Sequence, residues 1–134
     1  MSTSDKDLKY TLSAKDTFLV ISFSGKMTRA AASELEACLG EVQNRSEENV
    51  VLNFSEVAQI DRPLIPSLVK LQKAIRDRNK TTLIRICHLK NDLGAMLVDT
   101  GAIRRDELKS NLEEALFSFK PQKLAVKSII KSAA

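Results

Sequence analysis

The strongest pattern in the chain is VVLNFSEVAQIDRPLIPSLVKLQKAI, Val50 to Ile75. Val50, Val51, Leu52 and Phe54 form an apolar run with little polar alternation, as expected of a strand buried on both faces of a sheet. Val57 and Ile60 lead to Asp61, after which Leu64, Leu68, Leu71 and Ile75 recur at helical spacing, with Ile65 and Val69 widening the stripe. Strand, short connection, aspartate and amphipathic helix make half of a βαβ unit. Upstream, Leu8 to Gly25 reads as two strands about a polar turn at Lys15-Asp16. Ala31, Leu35, Cys38, Leu39 and Val42 then lie at helical spacing behind Thr28, an N-cap residue, with Gly40 a weak point in that helix. Thr81 to Leu89 returns to strand character. Leu93, Met96 and Leu97 share a helical face that ends at Thr100-Gly101-Ala102-Ile103. Ser110 and Glu113 are placed as a capping box ahead of Leu112, Ala115, Leu116 and Phe119, which face inward. A strand between Ile103 and Lys109 stays open, although periodicity does not support it. The pattern predicts an α/β fold of order β-β-α-β-α-β-α-α, a mixed sheet of four to five strands with about four helices.

The chain has 134 residues, enough for one domain with its own core, and no second hydrophobic cluster asks for another. The expected domain spans 1–119 and a basic tail spans 120–134. The tail changes the reading of the charge. Lys and Arg number 21 against 17 Asp and Glu, but Lys120, Lys123, Lys127 and Lys131 follow the last acid, so the body is about neutral. A neutral body without a recognition-helix motif, with no Trp and a single Tyr, argues against a nucleic-acid partner. In the tail, Val126, Ile129, Ile130 and Ala133 share one side of a helical wheel opposite the four lysines. Two readings stay open: a weak contact with a membrane surface or an acidic partner, and a short helix that packs on the sheet or frays. No apolar run is long enough for a bilayer and no leader pattern opens the chain, so the cytoplasm is the expected location. There Cys38 and Cys87 are expected as reduced, packed thiols.

Candidate catalysis is thin. His88, the one histidine, follows Cys87, but neighbours along a strand point to opposite faces and would not form a nucleophile and base pair. No phosphate-binding glycine loop, metal-spaced cluster or nucleophile elbow occurs, and Glu47-Glu48 and Glu113-Glu114 read as solvated surface. No enzyme activity and no cofactor or metal is expected.

The Asp61 segment, the Thr100 to Ile103 helix end and the closing SNLEEALFSF together resemble the STAS family, the sulphate transporter and anti-sigma factor antagonist domain, over most of the chain. The resemblance implies a STAS-like fold. In that family a buried strand and short connection deliver Asp-Ser-Ser-Gly or Asp-Ser-Thr-Gly to a helix start, where a partner kinase phosphorylates a hydroxyl. Here the positions read Asp61, Arg62, Pro63 and Leu64. The aspartate matches, but both hydroxyls and the glycine are replaced, so that phosphorylation does not carry over.

What the resemblance does imply is a protein-interaction module of the anti-sigma factor antagonist kind, in a partner-switching system. Its partner would be an anti-sigma factor or kinase-like ATPase, bound through Asp61, Arg62, Pro63, Leu64, Ile65 and Pro66 and the neighbouring Gly25, Lys26, Met27, Thr28 and Arg29. The alternative is a cytoplasmic subunit docked on the ATPase of a lipid-transport ABC-type complex; a small nucleotide-binding protein or enzyme ranks behind both. A homodimer is left open. Because the helix would open at Pro63, Pro66 is expected to delay the regular helix by a turn, leaving Pro63-Leu64-Ile65-Pro66 as a rigid apolar lip. The competing reading turns Leu64 and Ile65 inward.

Removing residues 120–134 should leave a domain that unfolds cooperatively and should weaken any binding to anionic vesicles, an effect that added salt should mimic. Loss of the cooperative transition on truncation would instead assign Val126, Ile129 and Ile130 to the core.

Overall fold

A computed structural model describes residues 8–78 and 81–119. The elements are β1 (Lys9–Lys15), β2 (Phe18–Met27), α1 (Ala32–Gln43), β3 (Asn49–Ile60), α2 (Ile65–Asp77), β4 (Leu83–Cys87), α3 (Asn91–Asp99) and β5 (Leu108–Lys109). Residues 112–119 form a last helix, α4. Single 3₁₀ turns, Arg29–Ala31 and Arg62–Leu64, precede α1 and α2. The tail from Lys120, with both readings of it, lies outside the described residues.

The five strands lie in sequence order, with β1 antiparallel to β2 and each later neighbour parallel to the one before. Parallel neighbours need crossovers, and right-handed crossovers that always step in one direction put their helices on one face. Accordingly α1, α2 and α3 pack Leu35, Cys38, Val42, Leu68, Leu71, Ile75 and Leu97 against Leu19, Ile21, Phe23, Leu52, Ile84 and Ile86. The opposite face has a smaller core in which α4 lays Ala115 and Phe119 over Val51 and Cys87, flanked by Phe18, Val20, Leu112 and Leu116. Phe119 meets Phe18 with ring centroids 5.8 Å apart and lies under the Arg85 guanidinium at 4.9 Å.

The structure differs from the sequence expectations at several points. β3 does not stop at Phe54; it continues through Val57 to Ile60, because register shifts after Ser22 and Gly25 let β2 follow it to Met27. The two residues Leu108–Lys109 do form a strand, paired to Ile86 and Cys87, although two residues are too few to show a period. Thr28 stands at the N-cap position of its turn, but only its carbonyl is engaged, by the Ala31 amide at 2.9 Å. Val69 is exposed and Gln72 buried, with Gln72 Nε2 donating to the Ala102 carbonyl at 2.6 Å. That carbonyl belongs to a Schellman-type end of α3, in which Ala102 donates to Leu97 at 2.9 Å and Gly101, at φ 78°, to Val98 at 3.1 Å.

The capping box sits one residue further on than the sequence suggests. Asn111 Oδ1 accepts from the Glu114 amide at 2.8 Å, and Glu114 Oε1 accepts from the Ser110 amide at 3.1 Å. His88, in the left-handed region at φ 62°, supplies a further cap, its Nε2 accepting from the Leu112 amide at 3.2 Å. Two ion pairs tie the rim: Arg76 Nη2 donates to both Glu107 carboxylate oxygens at 2.6 and 2.7 Å, and Arg45 pairs with Glu47 at 2.8 Å. Among the described residues no helix is long and apolar enough to cross a membrane.

Asn111→Ala should lower the denaturant midpoint by the equivalent of about 1 kcal/mol, the usual worth of an N-cap, with an unchanged slope. A midpoint equal to that of the parent protein would show that His88 and Glu114 hold the start of α4 without it.

Candidate interaction surface

Two chain segments meet where β2 and β3 run out. Gly25, at φ 102°, adopts a backbone conformation that side chains disfavour, and the local shift in register there realigns Met27 with Ile60. One residue on, the Asp61 amide donates to the Met27 carbonyl at 2.8 Å, and the turns Arg29–Ala31 and Arg62–Leu64 pack on each other. The segments Gly25 to Arg29 and Asp61 to Pro66 therefore share one corner of the molecule.

Asp61 is extended, at φ −87° and ψ 143°, and makes no side-chain cap. Its Oδ1 instead accepts from Gln59 Nε2 at 2.8 Å, while its carbonyl accepts from the Leu64 amide at 3.0 Å and closes the 3₁₀ turn. Pro63 falls in the first positions of this turn and Pro66 in those of α2, where a missing N–H leaves no helical bond unmade. The regular helix does start a turn after Asp61, as the two prolines imply.

The apolar lip is not found. Leu64 and Ile65 are buried in the main core, and so is Met27, because Leu64 and Ile65 stand at the head of the stripe that Leu68, Leu71 and Ile75 continue. Of the residues picked out in the sequence, Lys26, Arg29, Arg62, Pro63 and Pro66 are exposed, and Gly25, Thr28 and Asp61 are half-exposed. What faces solvent is three cations, two prolines and one carboxylate. Among the described residues, no ion pair or side-chain hydrogen bond engages Lys26, Arg29 or Arg62. The corner also includes Gln59, which sequence reasoning passed over; the polar position before Ile60 was its only signal.

The groups considered for catalysis lie elsewhere and are occupied. Cys87 Sγ lies 3.7 Å from Asn53 Oδ1 on the α4 side of the sheet, and burial pushes its thiol up to about 12. Burial is also the main reason that Cys38 is pushed up to about 12, with Glu41 adding to it. His88 uses Nε2 as the acceptor at the α4 start, so it does not serve the adjacent thiol.

A family model for the STAS domain matches residues 9–115. An anti-sigma factor antagonist from Mycobacterium paratuberculosis superposes with a TM-score of 0.72 at 21% identity, covering 88% of this chain and 97% of that one. The phosphorylated form of the Bacillus cell fate determinant SpoIIAA gives 0.61 at 11% identity, with 82% and 97% covered. A sulfate transporter family protein from Wolinella succinogenes gives 0.67 at 18% identity, with 89% and 93% covered. At these identities the likeness is one of fold. No curated protein sequence matches the chain.

Both thiols should resist a disulfide reagent at about pH 8, reacting at the rate of global unfolding, and should react at once in denaturant. Because their folded values stand above the ordinary 9.0, their ionisation leaves stability intact below that pH and erodes it as pH rises toward about 12. Rapid labelling of the native protein would contradict the packing described for Cys38 and Cys87.

Proposed function

Because this chain belongs to the STAS domain family, we propose that it is a non-enzymatic interaction module of the anti-sigma factor antagonist kind. It binds a regulatory protein partner in the cytoplasm through the corner formed by Gly25 to Arg29 and Asp61 to Pro66. The observation that carries this reading is the Asp61 amide to Met27 carbonyl bond, which joins the two segments into one exposed patch at the ends of adjacent strands. The buried thiols and the occupied His88 support the non-enzymatic part.

In this reading the partner is held without a phosphate switch. A phosphate at a docking surface adds close to two negative charges and several acceptor oxygens, which repel a partner fitted to the unmodified state. Arg62 and Pro63 stand at the two hydroxyl positions of the family motif, and neither carries a hydroxyl. Ser55 lies upstream in β3, and Ser67 sits within α2, half-buried. A fixed cation and two prolines suit a surface presented in one state.

A second reading takes the chain for a transporter-associated module, for which the likeness to a sulfate transporter family protein speaks; in that reading the same patch would seat it on the ATPase of a lipid-transport ABC-type complex. Affinity purification with the parent protein and with Arg62→Glu separates the readings. A kinase-like ATPase recovered by the parent and lost with the variant supports partner switching, and a transporter ATPase behaving so supports the second. In the presence of ATP and that partner, neither Ser55 nor Ser67 should acquire stoichiometric phosphate. Equal recovery by Arg62→Glu, with native circular dichroism, would mean that this corner is not the interface.

A further inference from the structure

The outward side of α2 is not the polar face that a simple surface helix would carry. Pro66, Val69 and Lys73 follow one another at i, i+3 and i+7, and Arg62 lies four residues before Pro66. At 3.6 residues per turn, Pro66, Val69 and Lys73 fall within about 60° of arc, and Arg62 sits in the 3₁₀ turn that leads into the helix. All four are exposed, and Val69, at 40%, is one of three large apolar side chains left in solvent among the described residues. On the flank, Lys70 is paired with Glu36 of α1 at 3.0 Å. Arg62 and Lys73 have no such partner among the described residues. The acids near the stripe are Asp61, whose Oδ1 is held by Gln59, and Asp77 at the end of α2.

We propose that the interaction surface continues from the Asp61 corner along this stripe for about 10 Å, and that its occupant is an acidic segment of a protein partner. The proposal rests on the reading above in taking the partner to be a protein, and adds the extent of the surface and the chemistry it accepts. Pro66 and Val69 form a small apolar centre, with Arg62 and Lys73 on either side and Arg29, whose turn packs on that of Arg62, beyond the Arg62 end. Such a plan, apolar centre and charged rim, is that of a transient protein interface. Unpaired cations speed encounter with carboxylates and oppose a basic surface. An anionic lipid surface offers the same charge, but stable insertion calls for bulky anchors, and the stripe presents one valine and one proline.

The test uses the full chain in its native cells. A photo-cross-linking side chain is placed in turn at Arg62, Val69, Lys73 and, as a control on the exposed face of β1, Thr11. The expected result is one protein joined from positions 62, 69 and 73 through a segment rich in Asp and Glu, and none from Thr11. With that protein purified, Val69→Asp and Lys73→Glu should each weaken binding by about tenfold, while Lys73→Arg retains it and thermal melting is unchanged. Cross-links from position 62 but not from 69 or 73 would overturn the extension along α2 and leave the functional reading standing. None from all three positions would overturn both. A neutral or basic cross-linked segment would overturn the chemistry. Binding to phosphatidylglycerol vesicles that Val69→Asp abolishes, with no protein cross-link, would make the stripe a lipid contact and overturn the proposal.

Discussion

The parallel ladder between β2 and β3, paired from Phe18 with Asn49 to Met27 with Ile60, governs where the crossover helices can go. A parallel pair cannot be closed by a hairpin, so α1 must cross from one strand end to the other start, and α2 and α3 repeat the step. The same ladder carries the functional corner. Its two register shifts let strands of unequal path stay paired to their ends, and the bond from Asp61 to Met27 is the next rung after the last strand pair. Gly25, with φ 102°, is where that adjustment is made.

Much of this was legible in the sequence because burial on a sheet with helices on one side leaves a strong periodic trace. The unbroken apolar character of Val50 to Phe54 and the spacing Leu64, Leu68, Leu71, Ile75 follow directly from the two faces that β3 buries and the one face that α2 buries. Less legible were features decided by a partner strand or by one hydrogen bond. The extension of β3 to Ile60 depends on β2, and β5 exists because β4 offers it a ladder. Val69 and Gln72 exchange the roles that their polarity suggests, since Gln72 finds the Ala102 carbonyl and Val69 lies at the outer edge of the wheel. The cap on α4 moved from Ser110 to Asn111 for a similar reason: either side chain can cap, and the fold chose the one that left Glu114 able to close on Ser110.

At the corner itself the sequence left two directions open for Leu64 and Ile65, and the fold takes the inward one. Helical periodicity assigns Leu64 and Ile65 to the core as readily as the two prolines assign them to a lip, and burial of two large apolar side chains decides it, at roughly 1.5–3 kcal/mol each. Once they turn in, the exposed chemistry is cationic. On the proposed reading this inverts the family's logic, because a position that elsewhere gains negative charge on modification here holds a positive one permanently.

Strand order that follows sequence order has a consequence for how the chain is made. Each strand pairs with the one synthesised just before it, and each crossover helix emerges between the two strands it joins. The sheet can therefore grow rung by rung from its N-terminal edge, without waiting for a distant strand to return and insert, which keeps loop-closure distances short for a largely parallel sheet. Only α4 comes late. Until residues 112–119 arrive, Val51 and Cys87 face solvent on the side that the crossovers leave bare, so this face is the one a nascent chain exposes longest and the place where premature association would begin.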